Sequence, residues 1–339
     1  MALITGAMWD IETALTVHYP SPDILFATGQ AYGWAAVAPG NVWADTAGTT
    51  PGVLDQKILR LDDERGAPWI STGIGPIYRV TTGINWLEFT DIDGSVRLQI
   101  TVPAITNGTL MVAYKNAGVL SGNVTIPAGT YSIGQWGLFG IVGALLIDRN
   151  LSQAERDQVR QWFITERGAG MSSSMASFAR FGREQRLTSV DLFDTSNVSN
   201  FSEFLYGNQL TTVPLFDTSA GTNFVSFLQS NKLTSIPLFD TSAGTNFQTF
   251  LSSNTGLTTV PAGLFDNVKG ANFTNVFFNC ALTQQSVDNV LVSVSTAAAA
   301  NNLNNGTLNL NSGTNAAPSA TGVTAKNALI ARGWTVTTN

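Results

Sequence analysis

The sequence predicts a multidomain α+β protein with an N-terminal all-β sandwich, a stack of repeats and a helical C-terminal cap. Three patterns support this prediction. Short apolar runs broken by Gly, Pro and Asp fill the first half, and residues 95–102 (SVRLQITV) alternate with a period of two, as in a half-buried strand. A unit of about 23 residues recurs in the second half. Apolar residues at helical spacing follow it.

Composition narrows the classes of function. The 339 residues include 17 Lys and Arg, 23 Asp and Glu and one Cys, with a formal net charge of -6. Without a Lys/Arg cluster to replace phosphate counterions, we expect no nucleic-acid partner. The single Cys excludes an intrachain disulfide. No apolar run reaches the roughly 18 residues of a membrane span, and the first residues lack an export pattern, so we expect no membrane insertion.

Residues 1–170 are predicted to form the sandwich, because regularly spaced β-type runs favour a jelly-roll-like arrangement. Ser152 and Glu155 have the spacing of a capping box. Apolar residues follow at i, i+3 and i+4, so we expect a helix over residues 153–167 that stops at Gly168.

A small, polar segment follows this helix, with the sequence GAGMSSSMA over residues 168–176. Such a composition is typical of a linker. The chain is also long enough for two domains. We therefore place the boundary near Gly170, between domains 1–170 and 171–339.

The repeats have a leucine frame. The frame residues are Leu187, Leu210, Leu233 and Leu257, spaced by 23, 23 and 24 residues. This period predicts a leucine-rich-repeat solenoid. Each coil is expected to contain a short strand at Leu-Thr-x-Val/Ile, an Asp-Thr-Ser turn and a helical turn that carries two aromatic residues. The aromatic pair Phe178 and Phe181 precedes Leu187, so the array starts before its first frame leucine.

Two further rows recur with the frame. The row that precedes the frame leucine is Asn208, Asn231, Asn254 and Cys280. We expect these side chains to hydrogen-bond the turn, which makes Cys280 a structural residue and not a nucleophile. The row that follows Leu-Phe is Asp194, Asp217, Asp240 and Asp266. It is expected to cap turns with lowered pKa values, with cation binding as the less favoured alternative.

The strand positions also form a row of hydroxyl groups. Its members are Thr188, Ser189, Thr211, Thr212, Thr234, Ser235, Thr258 and Thr259. This row is either a receptor-binding surface for a glycan or protein, as extended repeat faces allow, or a solvated face. After the repeats, helices are predicted over residues 284–298 and about 321–332, with strands around residues 308–310 and at the C-terminus.

Candidates for catalysis are weak. His18 is the only histidine and has no partner that can be named as its orienter. The acidic clusters Asp62, Asp63 and Glu64, and Glu88, Asp91 and Asp93, fit polar turns better than the paired acids of a glycan hydrolase. Asp91-x-Asp93-Gly94 lacks the later glutamate of a calcium loop. We expect no catalytic residues, no metal and no cofactor.

Three stretches carry a family resemblance. The repeat LTxVPLFDTSxxTNFxxFLxxN resembles the BspA-like leucine-rich repeats of bacterial surface and phage structural proteins. Residues 312–339 look like the C-terminus of phage tail or fibre proteins that carry these repeats. Residues 29–52 and 140–163 are similar to the opening and the end of LamG-like jelly-roll modules in phage minor structural proteins.

The resemblance implies a virion structural protein on the tail or capsid surface, in the role of a tail fibre or receptor-binding adhesin. Residues 1–170 would contact other virion proteins, the solenoid would adhere to a host surface glycan or protein, and the chain would form a homotrimer. Alternatives are a head fibre or capsid decoration protein and, in another class, a host-glycan depolymerase that uses acids of the first domain.

Overall fold

The computed structural model describes residues 31–36, 42–44, 47, 51–52, 60–61, 69–72, 77–81, 84–88, 97–133, 140–167, 169–170 and 175–339. Within these ranges the chain is mixed α/β, with two antiparallel sheets, one small parallel sheet and three helices. The predicted α+β class is therefore confirmed. No helix in these ranges is long and apolar enough to cross a membrane.

The strands are β1 (Ala31–Ala36), β2 (Val42–Trp43), β3 (Arg60–Leu61), β4 (Trp69–Thr72), β5 (Ile77–Thr81), β6 (Ile84–Glu88), β7 (Arg97–Val102), β8 (Ile105–Tyr114), β9 (Gly118–Ile126), β10 (Gly129–Ile133), β11 (Ile141–Ile147), β12 (Asn272–Phe273), β13 (Thr307–Leu310) and β14 (Thr335–Thr338). The helices are α1 (Gln153–Arg167), α2 (Gln284–Ala300) and α3 (Ala320–Ile330).

The larger antiparallel sheet has the order β5-β6-β11-β8-β9, with β1 also paired to β11. Every residue of β11 is buried, because both faces of this strand are covered. Leu145 and Ile147 belong to a cluster that includes Val159 and Phe163 of α1. Leu146 points the other way, into the main core.

The smaller antiparallel sheet has the order β10-β7-β4-β3-β2. In β7 the predicted alternation is confirmed, since Leu98, Ile100 and Val102 are buried while Thr101 is exposed. These side chains join the same core as the larger sheet.

Helix α1 spans the predicted residues, and its capping box is formed. The Ser152 N–H donates to Glu155 Oε2 at 2.7 Å, and the Glu155 N–H donates to Ser152 Oγ at 3.3 Å. The hydrogen bond from Arg149, together with those from Ser152, lowers the pKa of Glu155 to about 2 against a smaller opposing effect of burial. The predicted stop at Gly168 lies outside the described residues.

Successive repeats are joined by backbone pairing between residues one unit apart. Isolated parallel bridges link Ser177, Asn200, Asn223, Asn246 and Asn272 in turn. The predicted strands at Leu-Thr-x-Val/Ile are wrong, since the described repeats have only single ladder bonds there, such as Gln209 N–H to Leu187 O at 2.8 Å. Pro214 and Pro237 follow these positions directly and have no N–H to continue a ladder.

The predicted helical turn in each repeat is replaced by overlapping turns. Ser226, Leu228 and Ser230 have φ of 57°, 55° and 58°, and no helix occurs between α1 and α2 in the described residues. The Phe224 and Ser226 N–H groups donate to the next repeat instead, each at 2.9 Å. Backbone N–H groups that would bond within a helix therefore bond to the next repeat instead.

Phenylalanine rings fill the centre of the stack. Phe201 and Phe224 lie 5.5 Å apart with an interplanar angle of 2°, and Phe204 and Phe227 lie 5.6 Å apart at 9°. Rings of the row that contains Phe201 and Phe224 meet rings of the row that contains Phe204 and Phe227 edge to face, a geometry that aromatic pairs prefer. Phe178 is also fully buried and stacks on Phe204, which confirms that the array starts before Leu187.

The C-terminal residues close the stack largely as predicted. Helices α2 and α3 pack against each other, and β12, β13 and β14 pair in parallel. The N-cap Thr283 accepts a hydrogen bond from Ser286 N–H, and the N-cap Ser319 accepts one from Thr321 N–H.

The first repeat is bonded to the edge of the larger sheet. Leu187 forms an antiparallel bridge with Val124 of β9, and the Asp191 N–H donates to Ser121 O at 2.9 Å. One hydrophobic core runs from Val42 to Val336 through both parts. The division into domains 1–170 and 171–339 stays a prediction, and residues 171–174 of the predicted linker lie outside the described ranges.

Candidate binding face of the repeats

The predicted hydroxyl row is only partly available to a ligand. Thr211, Thr212, Thr234, Ser235 and Thr259 are exposed, and Thr258 is half-buried. At the start of the row, Ser189 Oγ accepts a hydrogen bond from Asn123 N–H at 3.1 Å, and the Thr188 N–H donates to Asn123 O at 2.8 Å. The Ser189 hydroxyl and the Thr188 backbone therefore serve the contact with β9, and both residues are half-buried. The exposed part of the hydroxyl row begins one repeat later.

An exposed leucine column lies beside the hydroxyl row. Leu192, Leu215 and Leu238 are 60%, 59% and 54% exposed. The column stops at Leu264, which is buried, because Ala262 and Gly263 are inserted between the proline and the leucine of that unit. Sequence reasoning missed this column, although the next residue in each unit is an inward-facing Phe and adjacent residues of an extended segment face opposite ways.

The aspartate row caps turns in three units. Asp194 and Asp217 each accept two hydrogen bonds on Oδ1, from the N–H and the hydroxyl of the serine two residues later, and Asp240 accepts the N–H of Ser242 at 2.9 Å. The Ser219 hydroxyl and N–H lower the pKa of Asp217. Asp266 differs, since it accepts from Ser293 Oγ at 2.7 Å.

The leucine column and the aspartate row form one surface with the hydroxyl row. We call this surface the repeat face. It consists of Thr211, Thr212, Leu215 and Asp217 in one unit, Thr234, Ser235, Leu238 and Asp240 in the next, and Leu192 and Asp194 in the unit before. The face offers hydroxyl groups, apolar contacts and carboxylates, which are groups that can contact a ligand.

The predicted asparagine row is buried between the repeats. The Leu210 N–H donates to Asn231 Oδ1 at 3.2 Å, and Asn231 Nδ2 donates to the Leu205 and Leu228 carbonyls, each at 3.0 Å. Asn208 and Asn254 repeat this pattern, and Asn315 extends it into the C-terminal cap. Sequence reasoning missed Asn315 because no frame leucine follows it at the repeat spacing.

A second asparagine row was also missed. Asn223 Nδ2 donates to Asn200 Oδ1 at 3.1 Å, and Asn272 Nδ2 donates to Asn246 Oδ1 at 3.0 Å. The recurring Asn-Phe pairs in the sequence, two of them preceded by a Thr, were the available signal. Both asparagine rows are structural.

No family model, curated protein or solved structure matches this chain.

The sequence candidates for catalysis and calcium binding fall outside what the structure describes. His18, Asp62, Asp63, Glu64, Asp91 and Asp93 lie outside the described residues, as does the side chain of Glu88. In the described ranges, no group of three His, Cys, Asp or Glu side chains is arranged to hold a metal ion.

Cys280 takes the asparagine position in its unit. Its Sγ lies 3.4 Å from the Leu251 carbonyl oxygen, and the Leu257 N–H donates instead to Asn254 O at 2.9 Å. The one extra residue between Asn254 and Leu257 therefore lets the Asn254 carbonyl accept the bond that an asparagine side chain would have accepted. The thiol is a buried part of the stack.

Cys280 is expected to resist modification in the folded protein. It is 1% exposed, so a reagent cannot reach the sulfur. Burial also raises its pKa to about 12, so almost no reactive thiolate is present at pH 8. Ellman's reagent should label it at least a hundredfold more slowly in buffer than in denaturant. Equal rates in the two solvents would contradict its place in the stack.

Proposed function

We propose that this chain is a structural protein of a bacteriophage particle and that its repeats bind the host surface. In this proposal the sheets of residues 1–170 form a jelly-roll-like domain that contacts other virion proteins and assembles as a homotrimer. The repeats form a BspA-like leucine-rich-repeat solenoid. The resemblance of the repeat and of both chain regions to phage structural proteins supports the assignment.

The observation that carries the adhesive role is the repeat face. Three leucines more than half exposed recur one unit apart, each followed two residues later by an exposed aspartate. Side chains that are more than half exposed contribute little to the stability of the stack, and large exposed apolar patches mark sites of interaction. The column of leucines gives a receptor an apolar contact, and the flanking hydroxyl and carboxylate groups give it hydrogen-bond partners.

Rigidity supports the same role. Buried asparagine side chains and stacked phenylalanine rings join each unit to the next, and the first unit is bonded to β9. A preorganised surface loses little conformational entropy when it binds. The repeats are thus suited to present their face at a set orientation to the sheets.

Location on the particle is the first test. Immunogold labelling with an antibody against residues 172–339 is expected to decorate phage tails. Decoration of the capsid would instead favour a head fibre or decoration protein, and absence from purified particles would overturn the proposal. Release of reducing ends from host polysaccharide by the purified protein would favour a depolymerase.

The adhesive role predicts the effect of a double variant. Leu215→Ser with Leu238→Ser is expected to reduce competition with phage adsorption at least tenfold, because two of the three exposed leucines of the face are lost. Thermal stability should remain within about 1 °C of the parent, since both side chains are exposed. Ile330→Ser, an exposed apolar residue of α3, is the matched control and should compete normally. If the double variant competes as well as the parent protein, the leucine column is not part of the adhesive surface.

A further inference from the structure

A polar cleft lies where the smaller sheet meets the first repeats. Its volume is about 570 Å³, within the range of about 300 to 1,000 Å³ typical of ligand sites. Gln99 and Ser132 line it from β7 and β10, and Arg186 and Gln209 line it from the repeats. This cleft is distinct from the repeat face.

The floor of the cleft is held in place by a buried tyrosine. The Tyr131 hydroxyl donates to the Gln185 carbonyl at 3.1 Å, across the contact between sheet and repeat. Burial raises the pKa of Tyr131, and Arg186 is near enough to oppose that rise. The hydroxyl is thus a structural donor, and the walls carry the groups that a ligand would meet.

Arg186 is the group in the cleft that lacks an anionic partner. Its side chain is exposed and forms no hydrogen bond or ion pair with another described residue. Glu184, the carboxylate of the cleft, already faces Arg183 at 3.3 Å. Arg186 has φ of 57°, a backbone conformation that non-glycine residues seldom adopt. The fold thus holds a guanidinium at the edge of the cleft without using it structurally.

The neighbouring polar groups have spare hydrogen-bonding capacity. Gln99 Nε2 donates to Ser132 Oγ at 3.1 Å, which leaves the Gln99 amide oxygen as an acceptor. Gln209 Oε1 accepts from Lys232 Nζ at 3.1 Å, which leaves the Gln209 NH₂ group as a donor. Amide and hydroxyl groups of this kind match the hydroxyls of a sugar ring, whereas the cleft offers no large apolar wall.

We propose that this cleft binds an acidic saccharide, with its carboxylate paired to Arg186 and its hydroxyls bonded to Gln99, Ser132 and Gln209. Guanidinium and carboxylate are planar and can form two parallel hydrogen bonds, which gives the contact both strength and direction. The cleft exists whether or not the chain belongs to a phage particle, so the proposal does not depend on the adhesive role of the repeat face.

Calorimetric titration of the full chain with trigalacturonate tests this proposal. Binding is expected, and Arg186→Gln should weaken it at least tenfold, which corresponds to about 1.4 kcal/mol. The methyl ester of the same trisaccharide keeps the hydroxyls and loses the negative charge. It should bind the parent protein as weakly as trigalacturonate binds the Arg186→Gln variant. Glu184→Gln should strengthen binding severalfold, since it removes a nearby negative charge.

Arg332→Gln is the matched control, because Arg332 lies in the C-terminal cap and its loss should leave the titration unchanged. Gln99→Ala gives a second variant in the opposite wall of the cleft and should weaken binding severalfold. Absence of trigalacturonate binding to the parent would overturn the proposal. Binding that survives both Arg186→Gln and Gln99→Ala would place the saccharide elsewhere on the chain and overturn it equally.

Discussion

Asn231→Ala is expected to lower the free energy of unfolding by about 3 to 5 kcal/mol. Asn231 is 5% exposed, and its side chain takes part in four hydrogen bonds with the backbone of its own and neighbouring units. Each buried bond contributes about 1 kcal/mol, and a buried donor left without a partner costs a further 1 to 3 kcal/mol. Equilibrium urea unfolding followed by circular dichroism measures the loss.

The cost should come mainly from Leu210. Its N–H would lose its acceptor, whereas the Leu205 and Leu228 carbonyls each keep the amide of another asparagine in the row. Asn197→Ala is the control, because Asn197 is exposed in the preceding unit, and it should change stability by less than about 0.5 kcal/mol. Similar losses in the two variants would show that the asparagine row is not what holds the units together.

Asp191→Ala should have the second large effect, about 2 to 4 kcal/mol. The Asp191 carboxylate accepts from Arg156 Nη1 at 3.0 Å and from Arg160 Nη2 at 2.9 Å, and its side chain is only 13% exposed. Removal of the carboxylate would leave two largely buried guanidinium groups without this counter-charge, which is costly. Because Asp191 belongs to the repeats and both arginines belong to α1, the loss measures the coupling between the two parts.

Asp157→Ala supplies the matched control for this coupling. Asp157 also pairs with Arg160, but its side chain is 52% exposed, and exposed ion pairs contribute about 0 to 1 kcal/mol. If Asp191→Ala proves as mild as Asp157→Ala, the contact between α1 and the repeats carries little of the stability.

Local features were predictable because their signals are local. Helix α1 begins and ends at the predicted residues, because its capping box and its apolar stripe are both patterns within a short stretch of sequence. The aromatic pairs and the asparagine row follow from the same logic, because stacking identical units places identical side chains over one another. The repeat period therefore predicts the interior of the stack without knowledge of its backbone path.

The backbone path itself was predicted incorrectly in two places. Short strands were expected at Leu-Thr-x-Val/Ile and a helical turn at the aromatic pair, as intrinsic propensities suggest. Instead, residues such as Ser226 and Leu228 take positive φ, which propensity disfavours. Hydrogen bonds to the neighbouring repeat compensate for that cost. Because these bonds join residues about 23 positions apart, a short stretch of sequence does not indicate them.

The sequence by itself determined the mixed α+β class, the period of the stack, the phenylalanine pairs and one of the two asparagine rows. Only the tertiary structure decided which surfaces remain open. Leu215 and Phe216 are adjacent apolar residues, yet one is exposed and the other buried, because a single backbone path can turn only one of them to the core. Likewise, Arg186 and Gln99 are far apart in the sequence and line one cleft because the first repeat packs against both sheets, at Val124 and at Tyr131.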